Sequence, residues 1–117
     1  MAVQVSEERF EELVDVALAA IPEHLLDQIE NCAVIVLDEP DPELGDVLGY
    51  YDGIPLSDRS SQYSGALPDR ILIFRGPLCR MVASEVELAE EIRITVWHEV
   101  AHYFGIDDDD LDEWGYA

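Results

Sequence analysis

Apolar residues recur at helical spacing near the start of the chain and again near its end. In the first stretch they predict an amphipathic helix capped by Ser6, with the following residues on its buried face: Phe10, Leu13, Val14, Ala17, Leu18 and Ile21. A shorter helical turn is expected after Pro22. Near the end, the capping box Ser84–Glu87 predicts a helix over residues 85–104. Gly105 follows as the residue that can adopt the left-handed conformation at a helix end.

Three stretches between these helices have the composition of β-strands. Ala33–Leu37 is a continuous apolar, β-branched run, which predicts a strand buried on both faces at the centre of a sheet. Val47–Asp52 predicts a second strand, and Arg70–Arg75 predicts a third that Gly76-Pro77 ends. The pattern therefore indicates an α+β fold, with a small sheet of about three or more strands packed on an N-terminal helix and a C-terminal helix.

The connection between the second and third strands, Gly53–Asp69, is longer than most loops and rich in Ser, Gly, Pro and Asp. It is either a mobile surface loop or the border of a substrate cleft. Tyr50, Tyr51 and Tyr63 belong to the same question, because they can pack on the sheet or line a peptide site.

Length and charge narrow the class of protein. A chain of 117 residues is expected to form a single domain over residues 1–117. The net charge is −21, from 27 acidic residues against 6 arginines and no lysine. Such a surface repels nucleic acid, so no nucleic-acid partner is expected. The acidity serves solubility or attracts a basic partner.

The first residues carry no targeting signal. They are acidic and lack an apolar core, and the apolar stretch Leu13–Ile21 is interrupted by Asp15. A cytoplasmic protein with no membrane partner is therefore expected. In a reducing compartment Cys32, at the start of a strand, and Cys79, in a loop after Pro77, are expected to be packing residues.

Residues 98–108 follow the pattern HExxHxxGxxD. His98 and His102 are four apart on the predicted helix, so both imidazoles can bind one zinc ion, and Glu99 can take a proton from water at the metal. A solvated helix face could carry the same histidines, but the joint spacing is improbable by chance. The motif predicts one Zn²⁺ per chain and a hydrolase with Glu99 as its catalytic base. Two other residues of this helix face, Glu91 and Thr95, are candidate partners of the imidazoles.

Together with Cys32–Leu37, Leu67–Ile71 and Leu111–Tyr116, this motif resembles the minimal zincin-like metallopeptidases, small bacterial proteins whose motif is related to that of metzincins and snapalysin. The resemblance implies a minimal zincin-like fold and hydrolysis of a peptide or protein substrate. It also implies that Asp108 is the third metal ligand. Asp107 and Glu113 are the alternatives. Tyr116 is, by its position alone, a candidate for the residue that stabilises the oxyanion. The remaining histidine, His24, is expected at the surface and not at the metal.

Other functions remain open. Metzincins have a methionine turn after the motif, whereas Met1 and Met81 both precede it. A non-catalytic zinc-binding module that holds a peptide or protein is therefore the alternative, although a structural zinc needs no Glu99. A metal-dependent RNA hydrolase shares the histidine spacing, but Glu99 and the charge of −21 argue against it. If the protein is a peptidase, the acidic surface favours a basic peptide as substrate.

Overall fold

The computed structural model describes residues 2–27, 29, 32–53 and 69–105. The α+β prediction is confirmed: helices pack on one small mixed sheet. In chain order the elements are α1 (Glu7–Ala19), α2 (Glu23–Leu26), β1 (Cys32–Leu37), a 3-10 turn (Pro42–Leu44), β2 (Gly49–Asp52), β3 (Asp69–Phe74), α3 (Arg75–Arg80) and α4 (Glu85–Tyr103). No helix among the described residues is long and apolar enough to cross a membrane.

The strand order is β1-β3-β2, with β1 parallel and β2 antiparallel to β3. The prediction that Ala33–Leu37 lies at the sheet centre, buried on both faces, is wrong. β3 is the central strand, while β1 is only half-buried and Leu37 at its end is 42% exposed. Among the described strands β1 pairs on one side only, so its outer edge contributes no sheet contact. An apolar run in the sequence indicates that a strand is hydrophobic, but it does not predict the position of that strand in the sheet.

The segment after β3 also differs from the prediction. Gly76-Pro77 does not end the strand in a loop, because β3 ends at Phe74 and α3 begins at Arg75. Pro77 lies in the first turn of this helix, where a backbone N–H has no intrahelical acceptor to lose. Cys79 is therefore in α3 and not in a loop, but it packs against the core as expected. Burial raises the pKa of its thiol.

The core lies between the sheet and the two long helices. Ser6 caps α1 by accepting a hydrogen bond from the Arg9 amide at 3.1 Å, and Ser84 caps α4 through the Glu87 amide at 3.2 Å, as predicted. Each helix buries an apolar stripe, which consists of Phe10, Leu13, Val14 and Ala17 on α1, and of Leu88, Ile92, Val96 and Val100 on α4. Tyr103 and Ala101 near the end of α4 are buried as well. At the end of α4, Gly105 has φ 85°, so the predicted left-handed end is confirmed.

One close contact sets the separation between β2 and α4. A Cβ atom added to Gly49 would lie 2.8 Å from Thr95 Cγ2, 3.1 Å from the Leu72 carbonyl oxygen and 3.2 Å from Glu99 Cγ. Real Cβ atoms do not approach a carbon at 2.8 Å, so any side chain at this position must displace its neighbours. Glycine here lets the strand lie directly against the helix.

We expect Gly49→Ala to lower the free energy of unfolding by about 1–3 kcal/mol, because the added methyl overpacks a buried contact. Urea denaturation followed by circular dichroism measures the change.

Thr95→Ser provides the control, because serine lacks the Cγ2 atom that the new methyl would meet. The effect of Gly49→Ala on the free energy of unfolding should therefore be at least about 0.5 kcal/mol smaller in the Thr95→Ser background than in wild type. If the two substitutions change the free energy of unfolding additively, crowding against Thr95 is not the reason for glycine at position 49.

Candidate metal centre

The two histidines and the glutamate of the HExxH motif lie in the last two turns of α4. The apolar stripe of this helix faces the core, which turns the motif residues toward β2. His98 and His102 are half-buried, and Glu99 is 6% exposed. The carboxylate is thus held inside the protein, while both imidazoles remain accessible from solvent.

The three side chains lie close together. The ring centroids of His98 and His102 are 4.7 Å apart, and His102 Nδ1 is 3.6 Å from Glu99 Oε2. One donor atom from each of the three residues can be chosen so that all lie within 4.8 Å of one another. Within the described part of the chain, this is the group of three His, Cys, Asp or Glu residues that could hold a metal ion.

The chemistry of this group fits zinc. Imidazole nitrogen and carboxylate oxygen are both common zinc ligands, and donor atoms in a tetrahedral zinc site lie roughly 3.4 Å apart. The donor atoms of the three residues, all within 4.8 Å of one another, are near that spacing. The site also lies at the C-terminal end of α4, where unpaired backbone carbonyls carry partial negative charge and favour a cation.

A groove of about 430 Å³ runs between α4 and the β2 segment and contains the motif residues. The strand side contributes Val47–Tyr51, and the helix side contributes Glu91, Ile94, Thr95 and the three motif residues. Its size falls within the range of about 300–1,000 Å³ usual for ligand sites. Glu91 and Thr95, predicted as partners of the imidazoles, thus share the groove with them.

Tyr51 combines the two roles that the sequence left open for the tyrosines. Its ring lines the groove and meets the Tyr103 ring edge-on, with centroids 6.1 Å apart. Its hydroxyl donates a 2.5 Å hydrogen bond to Asp69, a carboxylate that is only 3% exposed. The strands β2 and β3 are therefore joined beside the site. Tyr50 also lines the groove and is 40% exposed.

Sequence reasoning missed Gly49 and Asp69. The sequence pattern predicts only an ordinary strand residue at Gly49, and it places Asp69 at the polar end of a long loop. An isolated glycine inside a strand pattern is a signal for close backbone approach, and it could have identified Gly49. Nothing local marks Asp69, because its partner Tyr51 is distant in the sequence.

Several predicted residues lie outside what the structure describes: Tyr63, Asp107, Asp108, Glu113 and Tyr116, the side chain of His24, and most of the connection Gly53–Asp69. The third metal ligand therefore stays a prediction. The structure brings together His98, Glu99 and His102, which are three of the four predicted site residues.

Comparison with known proteins agrees with this geometry. The family model described as "Zincin-like metallopeptidase" matches residues 29–116, a range that includes all three strands and α4. The chain is also similar to a solved structure, a conserved hypothetical protein from Thermus thermophilus, with 25% sequence identity and a TM-score of 0.62. The similarity covers 86% of this chain and 94% of the other. No match is found among curated proteins. The resemblance predicted from the motif is confirmed, and the chain belongs to the zincin-like metallopeptidase family.

Proposed function

We propose that this protein is a zinc-dependent metallopeptidase in which Glu99 is the general base. The observation that best supports the proposal is the position of the Glu99 carboxylate. It is buried, it lies 3.6 Å from the imidazole of His102, and it lines a groove open to a ligand. A site that only held zinc for structural stability would need neither the groove nor the buried carboxylate.

In this proposal His98 and His102 hold the zinc ion through ring nitrogens, and Asp108 supplies the third ligand. When bound, zinc would polarise the carbonyl of the scissile peptide bond and lower the pKa of a coordinated water molecule. One ion per chain is expected, since the two imidazoles come from a single helix.

Glu99 accepts a proton from the attacking water at its carboxylate and returns it to the leaving amine. Burial suits this role, because a carboxylate shielded from bulk solvent keeps the transferred proton for the leaving group. The backbone of Gly49 closes one side of the space around the Glu99 side chain, since even a Cβ atom at this position would lie 3.2 Å from Glu99 Cγ. A fixed base is more effective than a mobile one, because proton transfer depends on the distance between donor and acceptor.

An extended peptide is the substrate that the groove fits best. β2 pairs with β3 along one edge, and its other edge, unpartnered among the described strands, borders the groove. Such an edge can form backbone hydrogen bonds with a peptide by strand addition. Residues Val47–Tyr51 would then hold the substrate opposite Glu99.

The purified protein should bind about one zinc ion per chain after reconstitution. His98→Ala should abolish stoichiometric binding, because a single remaining imidazole cannot retain the ion with a carboxylate alone. His24→Ala is the matched control and should leave the zinc content unchanged. Metal analysis by mass spectrometry measures both, and full occupancy in His98→Ala would show that zinc binds elsewhere.

Asp108→Ala should weaken zinc binding by about tenfold or more, because it removes a direct ligand. Asp110→Ala changes the net charge equally and should have little effect. Competition with a chromophoric chelator gives both affinities. Equal weakening by the two substitutions would point to general electrostatic attraction by the acidic segment and not to a ligand.

Glu99→Gln should preserve zinc content and fold while lowering peptide cleavage by ~10²–10⁴-fold, because glutamine cannot accept the proton. The assay incubates zinc-loaded protein with a mixed peptide library and detects new termini by mass spectrometry. Zinc analysis and thermal unfolding of the same samples separate loss of chemistry from loss of structure.

The alternative function predicts a different result. A zinc-loaded wild type that cleaves nothing, yet retains the same peptides as Glu99→Gln, would be a peptide-binding module on a zincin fold. That outcome would contradict the catalytic role of Glu99 but not the proposed binding of zinc.

A further inference from the structure

The positive charges of the described chain are all engaged away from the groove. Five of the six arginines lie in the described residues, and each bonds to a carboxylate: Arg9 to Glu12 and Glu85, Arg70 to Asp52, Arg75 to Asp38, Arg80 to Glu39, and Arg93 to Glu90. Arg93 also lies over the Trp97 ring, 5.8 Å from its centroid. The chain has no lysine. None of these five cations lines the groove.

Glu91 lies in the groove wall without a neutralising cation among the described residues. It is half-buried and shares the wall with apolar neighbours, Ile94 on its own helix and Val47 and Leu48 across the groove. Because Glu91 is partly shielded from water, it attracts a positive charge that enters the groove more strongly than a fully exposed carboxylate would.

We propose that Glu91 forms a binding subsite for an arginine or lysine side chain of the substrate. The inference rests on the proposed peptidase function, since it names a specificity residue for that same groove. The acidic surface as a whole attracts basic peptides without selecting a position. Glu91 differs from it because it lies on the groove wall at a fixed distance from the site of hydrolysis.

That distance predicts which substrate residue is recognised. Glu91 precedes Glu99 by eight residues on one uninterrupted helix, which corresponds to about 12 Å along its axis. An extended peptide advances about 3.3 Å per residue. A peptide lying along the groove would therefore place its basic residue about three or four positions from the bond that is cleaved.

The test uses short peptides of Ala, Ser and Leu in which a single arginine is moved through every position. Each has a twin with citrulline, which keeps the shape of arginine and lacks its charge. Cleavage by the zinc-loaded full chain is followed by mass spectrometry. Binding of the same peptides to zinc-loaded Glu99→Gln is measured by fluorescence anisotropy, which reports the subsite independently of turnover.

In wild type we expect arginine to be favoured over citrulline by about tenfold at one position of the peptide, in both assays. Glu91→Gln should bring this ratio close to one, and Glu91→Arg should favour peptides with glutamate at that position. Glu11→Gln is the matched control: it removes one negative charge from an exposed position of α1 and should leave the ratio unchanged. A variant that only loses stability would cleave the arginine and citrulline peptides more slowly to the same extent, and the ratio of the two rates would not change.

The two assays distinguish failure of this inference from failure of the proposed function. Cleavage with equal rates for arginine and citrulline twins would overturn the subsite and leave the peptidase standing. Binding that favours arginine through Glu91, without any cleavage, would support the subsite and overturn the peptidase. A protein that neither cleaves nor binds any of these peptides would overturn both.

Discussion

The rotation of α4 about its own axis is the constraint on which the rest of the structure depends. Four residues at successive i, i+4 positions, Leu88, Ile92, Val96 and Val100, are buried against α1 and the sheet. Because the helix is uninterrupted, burying this stripe determines where every other side chain of α4 points. The motif residues then face β2 as a result of the core packing of α4 alone. Stability and site geometry are thus produced by the same packing, and a core change that rotates the helix would misalign the motif residues.

The opposite wall of the groove is held just as firmly. β2 contributes only a short strand, yet its antiparallel pairing with the buried centre of the sheet and the hydrogen bond from Tyr51 to Asp69 fix its position. Gly49 brings it against the helix at the level of Glu99. Glu99 therefore lies beside the place where β2 meets the helix, and Glu91 lines the same groove nearer the start of α4.

The elements that could be predicted are those with local signals. Both long helices follow from their serine caps and apolar spacing, and three site residues follow from spacing within one helix. The order of the strands could not be predicted, because pairing joins residues far apart in sequence, and the apolar β1 resembles a central strand. The prediction for Gly76-Pro77 failed for a related reason: the same two residues suit the end of a strand or the first turn of a helix. In the structure the Gly76 amide donates a hydrogen bond to the Asp38 carbonyl at 2.8 Å, a contact with a residue distant in the sequence.

The placement of both imidazoles on one helix has a consequence for how metal binding and folding are linked. A ligand stabilises the native state only to the extent that it binds that state more tightly than the unfolded chain. In a site assembled from distant segments, unfolding scatters the ligands and the whole binding free energy contributes to stability. Here a chain that has lost its sheet but retained α4 still holds His98 and His102 one turn apart. If zinc binds as proposed, part of its affinity would survive in an unfolded chain that keeps α4, and the metal would protect the fold less than its affinity alone would suggest.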